Sequence, residues 1–214
     1  MIIDQAFSRE LAETLLDINA VLLRPKEPFT WSSGWNSPIY CDNRLTIHYP
    51  KLRKNIARHL ADFIQEKYPE TDVITGTATA GIPHTAWVSD ILEKPMAYVR
   101  SKAKNHGMNS QIEGGVKKGE STVIIEDLIS TGNSVLSVVD ALEFVGAKVD
   151  AITSLFTYGF DVAHKAIEDR GLEIYSLTDY KTLIDVALEK GYVHKSDIEL
   201  LSQWREHPDI WPKD

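Results

Sequence analysis

The chain has 214 residues, 43% of them hydrophobic and 25% charged, enough for one substantial α/β domain whose own core needs no disulfide or metal staple. Its single cysteine, Cys41, excludes an internal disulfide framework and a Cys-rich zinc site, and fits a reducing, cytoplasmic setting. A formal net charge of -8 argues against nucleic-acid binding, although a small phosphorylated ligand needs only a local cluster of cations. No apolar run approaches the ~20 residues of a membrane span, and residues 1–23 read as neither a signal nor a transit peptide.

In chain order, Leu11, Leu15, Ile18 and Leu22 recur at three- and four-residue steps and predict a helix over 3–23, ended by Pro25 and Pro28. Residues 29–43, rich in Trp, Ser, Gly and Pro, read as a strand pair or an ordered loop. A second helix is expected over 49–68, opened near Pro50 and closed before Pro69. Strands then alternate with helices: strand 72–76, helix 82–92, strand 96–100, a polar stretch 101–119, strand 122–126, helix 133–145, strand 149–157, helix 163–170, strand 173–177 and helix 179–190. Ser196 stands where it can cap a last helix running to Trp204. Continuous apolar strands between helices indicate an α/β fold, a mainly parallel central sheet flanked by helices on both faces.

Residues 122–134 read Thr-Val-Ile-Ile-Glu-Asp-Leu-Ile-Ser-Thr-Gly-Asn-Ser. This is a buried strand ending in two adjacent carboxylates, followed by a small-residue turn that opens a helix. Ligands of open parallel sheets bind at the carboxyl ends of strands, and a helix N-terminus behind such a turn offers free N–H groups to a phosphate. Glu126 and Asp127, one step earlier, can accept from the vicinal hydroxyls of a ribose. Read singly, they are turn acids and the segment after them an N-cap; the ordered whole pairs sugar and phosphate recognition. It resembles the signature of type I phosphoribosyltransferases, which bind phosphoribosyl pyrophosphate (PRPP). The resemblance implies that Glu126 and Asp127 hold the ribose hydroxyls, and that Ser130, Thr131, Gly132, Asn133 and Ser134 cradle the 5′-phosphate.

Arg100, Lys102, Lys104 and His106 gather positive charge within a polar stretch that runs to Gly119. Alone, this is a solvated charge run; beside the PRPP motif it resembles the catalytic loop of orotate phosphoribosyltransferases, Arg-x-x-x-Lys-x-His-Gly. By that resemblance Arg100, Lys104 and His106 contact pyrophosphate, and loop 101–113 is shared between the subunits of a homodimer. Many relatives carry Lys directly after the Arg, where this chain has Ser101; whether Lys102 substitutes is left open.

Two further segments bear on the reading. Residues 76–83, Gly-Thr-Ala-Thr-Ala-Gly-Ile-Pro, suit either a tight strand-to-helix turn or a loop closely approached by ligand. In the family this loop meets pyrophosphate and base, which brings in Thr79 and Ala80. Residues 29–42 share the Phe-Thr, Ser-Gly and Ser-Pro frame of the orotate enzymes, and this implies base contacts from Ser32, Tyr40 and Ser130. Trp31 and Trp35 fit core and ligand contact equally. Some orotate enzymes bind the orotate carboxylate through an Arg after the strand ending near Thr157, but none occurs here before Arg170; Tyr158, backbone N–H groups and Arg44 are the candidates.

The resemblance covers roughly residues 1–180 and implies one domain over 1–214, with residues 1–45 as a base-binding subdomain or hood and 70–180 as the PRPP-binding core. The implied activity is transfer of the 5-phosphoribosyl group of PRPP to orotate, giving orotidine 5′-monophosphate and pyrophosphate, a step of UMP synthesis. Lys104, His106 and Asp127 are the expected catalytic residues. Mg2+ is the expected cofactor, held mainly by PRPP with Glu126 and Asp127 nearby and no direct protein ligand. A purine-specific relative and a PRPP-sensing regulator are the competing readings; the segment 29–42 and the Lys-x-His-Gly loop count against the first, and the retained loop and the lack of net positive charge against the second. No P-loop, dinucleotide fingerprint, nucleophile elbow or metal-spaced histidine set occurs.

Overall fold

The computed structural model describes residues 1–31, 34–101 and 111–211. Helix α1 (Gln5–Asp17) opens on Asp4, whose carboxylate accepts from the N–H groups of Ala6 and Phe7. It stops well short of the expected 23. Asn19 takes a positive φ of 56°, which turns the chain, and β1 (Val21–Leu23) pairs antiparallel with a later strand. The apolar step from Ile18 to Leu22 therefore spans two elements: tertiary pairing overrides the helical period at the short run of Val and Leu.

Next come β2 (Phe29–Thr30) and β3 (Asn36–Ser37), paired with each other, and β4 (Ile39–Cys41), the partner of β1. This is the expected strand pair with a second ribbon beside it. A 3-10 turn (Asn43–His48) leads into α2 (Pro50–Lys67), where Pro50 sits at the helix start, a position that needs no N–H. Then follow β5 (Val73–Thr77), α3 (Gly81–Leu92), β6 (Met96–Val99), the short β7 (Ile112–Glu113), β8 (Ser121–Ile129), α4 (Asn133–Phe144), β9 (Lys148–Thr157), α5 (Asp161–Glu168), β10 (Ile174–Asp179), α6 (Tyr180–Glu189) and α7 (Ile198–Glu206).

The six-stranded sheet runs β10-β9-β8-β5-β6-β7, parallel except for β7, so the central sheet is mainly parallel as expected. Residues of β8 feed two cores. Val123 and Ile125 pack with Leu60 and Ile64 of α2, Leu11 of α1 and Leu183 of α6, while Ile124 and Ile129 pack with Val135 and Leu142 of α4 and Ile167 of α5. Burial on both faces is why these strands read as unbroken apolar runs.

Two further expectations need correction. Strand β8 does not end at Glu126; it continues to Ile129, because Leu128 and Ile129 pair with Phe156 and Thr157 of the long β9. Ser196 is not the N-cap of the last helix. It lies in a 3-10 turn (Lys195–Asp197) whose Asp197 carboxylate accepts from the His194 N–H at 3.0 Å, and α7 begins after that turn. No helix among the described residues is long and apolar enough to cross a membrane.

Candidate active site

The parallel strands β5, β6, β8 and β9 end at one edge of the sheet, and the site is assembled there. Glu126 and Asp127 are successive residues of β8, and their carboxyl groups lie within hydrogen-bond reach of each other. Glu126 is 4% exposed; its Oε2 accepts from Ser134 Oγ (3.4 Å) and its Oε1 from the Asp127 N–H (3.1 Å). Burial pushes its carboxyl well above the ordinary carboxylate range, and the neighbouring Asp127 pushes it further. Asp127 is raised too, again by burial, while hydrogen bonding and the Arg44 charge pull it back. Asn43, fully buried beneath the site, donates from Nδ2 to the Asp127 carbonyl at 2.7 Å and anchors the 3-10 turn to β8.

Past Ile129 the chain turns through Ser130, Thr131 and Gly132. Gly132 has φ +84°, a left-handed conformation that suits glycine, and it starts α4 with no side-chain cap. The first-turn N–H groups at Asn133 and Ser134 thus have no partner within the helix and stand at its positive end. Asn133 and Ser134 are exposed, so those donors face outward. Such a helix terminus suits an anion, and it stands a few residues from the buried Glu126 and the half-buried Asp127.

Thr79 and Ala80 lie in the turn between β5 and α3, where the Ala78–Thr79 peptide is cis. Register places them beside β8, since Gly76 pairs with Ile125, and a Cβ on Gly81 would stand 2.6 Å from the Ile125 carbonyl oxygen and 3.7 Å from Glu126 Cα. The Ala78 N–H is already spent on the Val99 carbonyl (2.9 Å) and that of Ile82 on Thr79 (3.3 Å). Arg100 follows β6 at the same edge. Its N–H donates to the Gln111 carbonyl (2.9 Å), and its guanidinium lies 3.5 Å from Glu113. Lys102, Lys104, His106 and Ser32 lie outside the described residues.

Beside the N-terminus of α4 opens a cavity of about 590 Å³, lined by Thr30, Trp31, Trp35, Tyr40, Cys41, Leu128, Ser130, Thr131, Asn133 and Tyr158. Of the expected residues it gathers Tyr40, Ser130, Thr131 and Asn133. Glu126, Asp127, Gly132, Ser134, Thr79, Ala80 and Arg100 stand around it along the sheet edge and do not line it. Tyr40 is 42% exposed, with its ring 5.7 Å from that of Phe29. Trp31 lines the cavity, and its ring packs on Tyr158 (5.2 Å) and Trp204 (5.7 Å), so the core role left open for it is met. Sequence reading did not single out Cys41, Leu128 or Trp204 for this region. Leu128 was hidden by the early end assigned to the strand, and Trp204 lies far away in sequence. Arg44 forms a bidentate pair with Asp42 (2.6 and 2.7 Å) on the exposed side of the 3-10 turn. Among the described residues no three His, Cys, Asp or Glu converge to hold a metal ion; Glu126 and Asp127 are the adjacent carboxylates at this edge of the sheet.

Residues 46–188 match the phosphoribosyl transferase domain family, and the parallel sheet, the paired carboxylates and the uncapped helix N-terminus agree with that class. An orotate phosphoribosyltransferase of Listeria innocua is 54% identical over 208 residues, covering 97% of this chain and 100% of the relative. The orotate phosphoribosyltransferase of Aeropyrum pernix superimposes with a TM-score of 0.74 at 28% identity, over 86% of this chain and 99% of that one. The Mycobacterium tuberculosis orotate phosphoribosyltransferase in complex with PRPP gives a TM-score of 0.63 at 25% identity, over 83% and 98%. The chain belongs to the orotate phosphoribosyltransferase family.

Proposed function

We propose that the protein transfers the 5-phosphoribosyl group of PRPP to orotate, giving orotidine 5′-monophosphate and pyrophosphate, in the following way. The observation that carries the reading is a shared wall: Ser130, Thr131 and Asn133, at the N-terminus of α4, also line the aromatic cavity. A phosphate held on that terminus leaves the attached sugar over Glu126 and Asp127, with a base-sized space beside it. In this arrangement residues 1–45 supply the base-binding part and residues 70–180 the PRPP-binding core.

The reaction breaks the bond from the anomeric carbon to a pyrophosphate oxygen and forms one to a ring nitrogen of orotate. The sugar gains positive charge on the way and the leaving group negative charge. Asp127, flanked by a second carboxylate, would stabilise the sugar cation, and Glu126 would accept from the vicinal hydroxyls. Both are raised by burial, so a nearby cation or hydroxyl donors would favour their charged forms. That donor chemistry fits Mg2+ held mainly by PRPP oxygens and water with the two carboxylates close by; the ion would neutralise pyrophosphate charge. Ser130, Thr131 and the α4 N–H groups orient the 5′-phosphate, while Tyr40, Trp31 and Trp35 offer aromatic faces to the base. Arg100, Lys104 and His106 would add positive charge at pyrophosphate, from a loop 101–113 shared between two subunits, and Ser32 would add a contact to the base. Lys104→Ala is expected to lower turnover far more than it weakens PRPP binding.

The test is orotate absorbance with PRPP and Mg2+, run beside adenine, hypoxanthine, xanthine and uracil. Loss of orotate signal dependent on both additions is expected. Turnover of another base alone would reject the reading of the aromatic cavity, and PRPP binding without any turnover would make the protein a sensor.

A further inference from the structure

Helix α7 lies beyond the residues matched by the family model, yet it fastens the cavity's aromatic wall. Trp204, 0% exposed, donates its indole N–H to the carbonyl of Asn36 on β3 at 3.1 Å. Its ring stands 5.7 Å from Trp31 and 5.6 Å from Tyr158, both of which line the cavity, and 5.5 Å and 5.4 Å from Phe160 and Tyr180. Most of these pairs are tilted or edge-on, the favoured arrangements of aromatic rings. Trp31 in turn donates its own indole N–H to Ile39 (3.1 Å).

The next residue makes a second tie. Arg205 Nη2 donates to the Gly159 carbonyl at 2.6 Å, in the turn that carries Tyr158 out of β9. A third comes from Tyr180, whose hydroxyl donates to the Leu201 carbonyl (3.0 Å) and holds α7 against the start of α6. One short helix thus grips the β2–β3 ribbon through Trp204 and the β9 turn through Arg205. Trp31 and Tyr158, whose rings pack together at 5.2 Å, thus form one aromatic wall of the cavity from segments far apart in the sequence.

We infer that Trp204 is a positioning residue for the base, holding the packed Trp31 and Tyr158 rings in place as one wall of the cavity, and that Arg205 supports it from the Tyr158 side. The inference rests on reading the aromatic cavity as the base site. Among the described residues neither bonds to Glu126, Asp127 or the first turn of α4, so PRPP recognition should not depend on Trp204; Arg205 shares a neighbouring cavity with Thr131 and Asn133, so Trp204 carries the control.

Trp204→Phe keeps an aromatic ring and removes the N–H; Arg205→Gln removes the tie to Gly159 and leaves the packing. Steady-state kinetics are measured on both at a temperature well below their melting points. The expected result for Trp204→Phe is a rise of about fivefold in KM for orotate, the size of one lost hydrogen bond, with KM for PRPP steady to about twofold. Arg205→Gln should move the same constant in the same direction. A KM for orotate that stays put in a folded Trp204→Phe variant, or KM values for both substrates that rise together, would overturn the inference. Should Trp204→Phe fail to fold, Arg205→Gln decides by its KM for orotate. The parent enzyme's own turnover of orotate tests the reading of the cavity separately: parent activity with unchanged variants rejects only the positioning role.

Discussion

Two adjacent carboxylates beside a turn of neutral side chains work against folding. A carboxyl raised in the folded state binds its proton more tightly there than in the unfolded chain. Its contribution therefore favours folding at low pH and is lost as pH rises from the ordinary carboxylate range toward the raised value. At neutral pH Glu126 is in that unfavourable regime. Glu126→Gln keeps an acceptor for Ser134 and removes the buried charge. Without ligand this variant should melt about 2–4 °C above the parent, corresponding to about 1 kcal/mol in a chain of this size. Its affinity for PRPP should fall by about tenfold or more, as expected when a charge-assisted hydrogen bond is weakened. Melting curves and a PRPP titration on the same protein check both, and an unchanged or lower melting point would mean that burial does not burden Glu126.

Two glycines in strand-to-helix connections obey different constraints. At Gly132 a Cβ would find ordinary contact, 3.5 Å from Ala163, but the φ of +84° disfavours any L side chain. Gly132→Ala should cost about 1–2 kcal/mol in chemical denaturation and weaken phosphate binding as the first turn of α4 shifts. At Gly81 the obstacle is contact: a Cβ would meet the Ile125 carbonyl at 2.6 Å, a backbone atom of the central strand. Gly81→Ala should cost about 1–3 kcal/mol through displacement of β8 beside Glu126. The same comparison shows what the sequence made legible. Motif 122–134 announced its strand, acids, turn and helix because every step has a local cause: apolar residues, adjacent charges, small side chains, a glycine. The end of β8 was not announced, since only pairing with β9 extends it past the acids. Neither was the end of α1, where Ile18 and Leu22 keep helical spacing across a turn. The cavity walls were legible at Tyr40, Ser130 and Thr131, which sit in recognisable segments. They were not at Trp204, whose role depends on a contact with Asn36 made only in the folded chain.

Across the whole molecule, pH acts through a second buried group of opposite sign. His84 is 0% exposed on α3, its Nε2 3.5 Å from Thr46 Oγ1 and its Nδ1 without a partner; burial lowers its pKa to about 4. The unfolded chain takes up that proton first, so the His84 contribution to stability is absent below pH about 4 and is gained as pH rises to its ordinary value of 6.5. The full swing is roughly 3 kcal/mol. Glu126 works the other way over an overlapping range, so the difference between parent and His84→Gln is the quantity to read. That difference should widen against the parent as pH falls from 7 to 4.5 in thermal melts. A flat difference would mean that His84 is not held neutral. Ligand should act on the same global equilibrium: PRPP with Mg2+ at about a hundred times Kd adds about 2.7 kcal/mol, or roughly 5–10 °C.

The end strand β10 carries a further consequence. Its outer side is covered by residues 1–3, where Ile3 donates to the Ser176 carbonyl and Ser176 donates back to Met1. Unpaired strand edges recruit other chains, and here the edge is closed by residues about 170 positions earlier in the chain than the strand they cover. Those residues must wait, unpartnered, until β10 has been synthesised. Throughout that interval the nascent sheet has an open flank, so the window for misassembly is set by the pace of translation as well as by the stability of the finished fold.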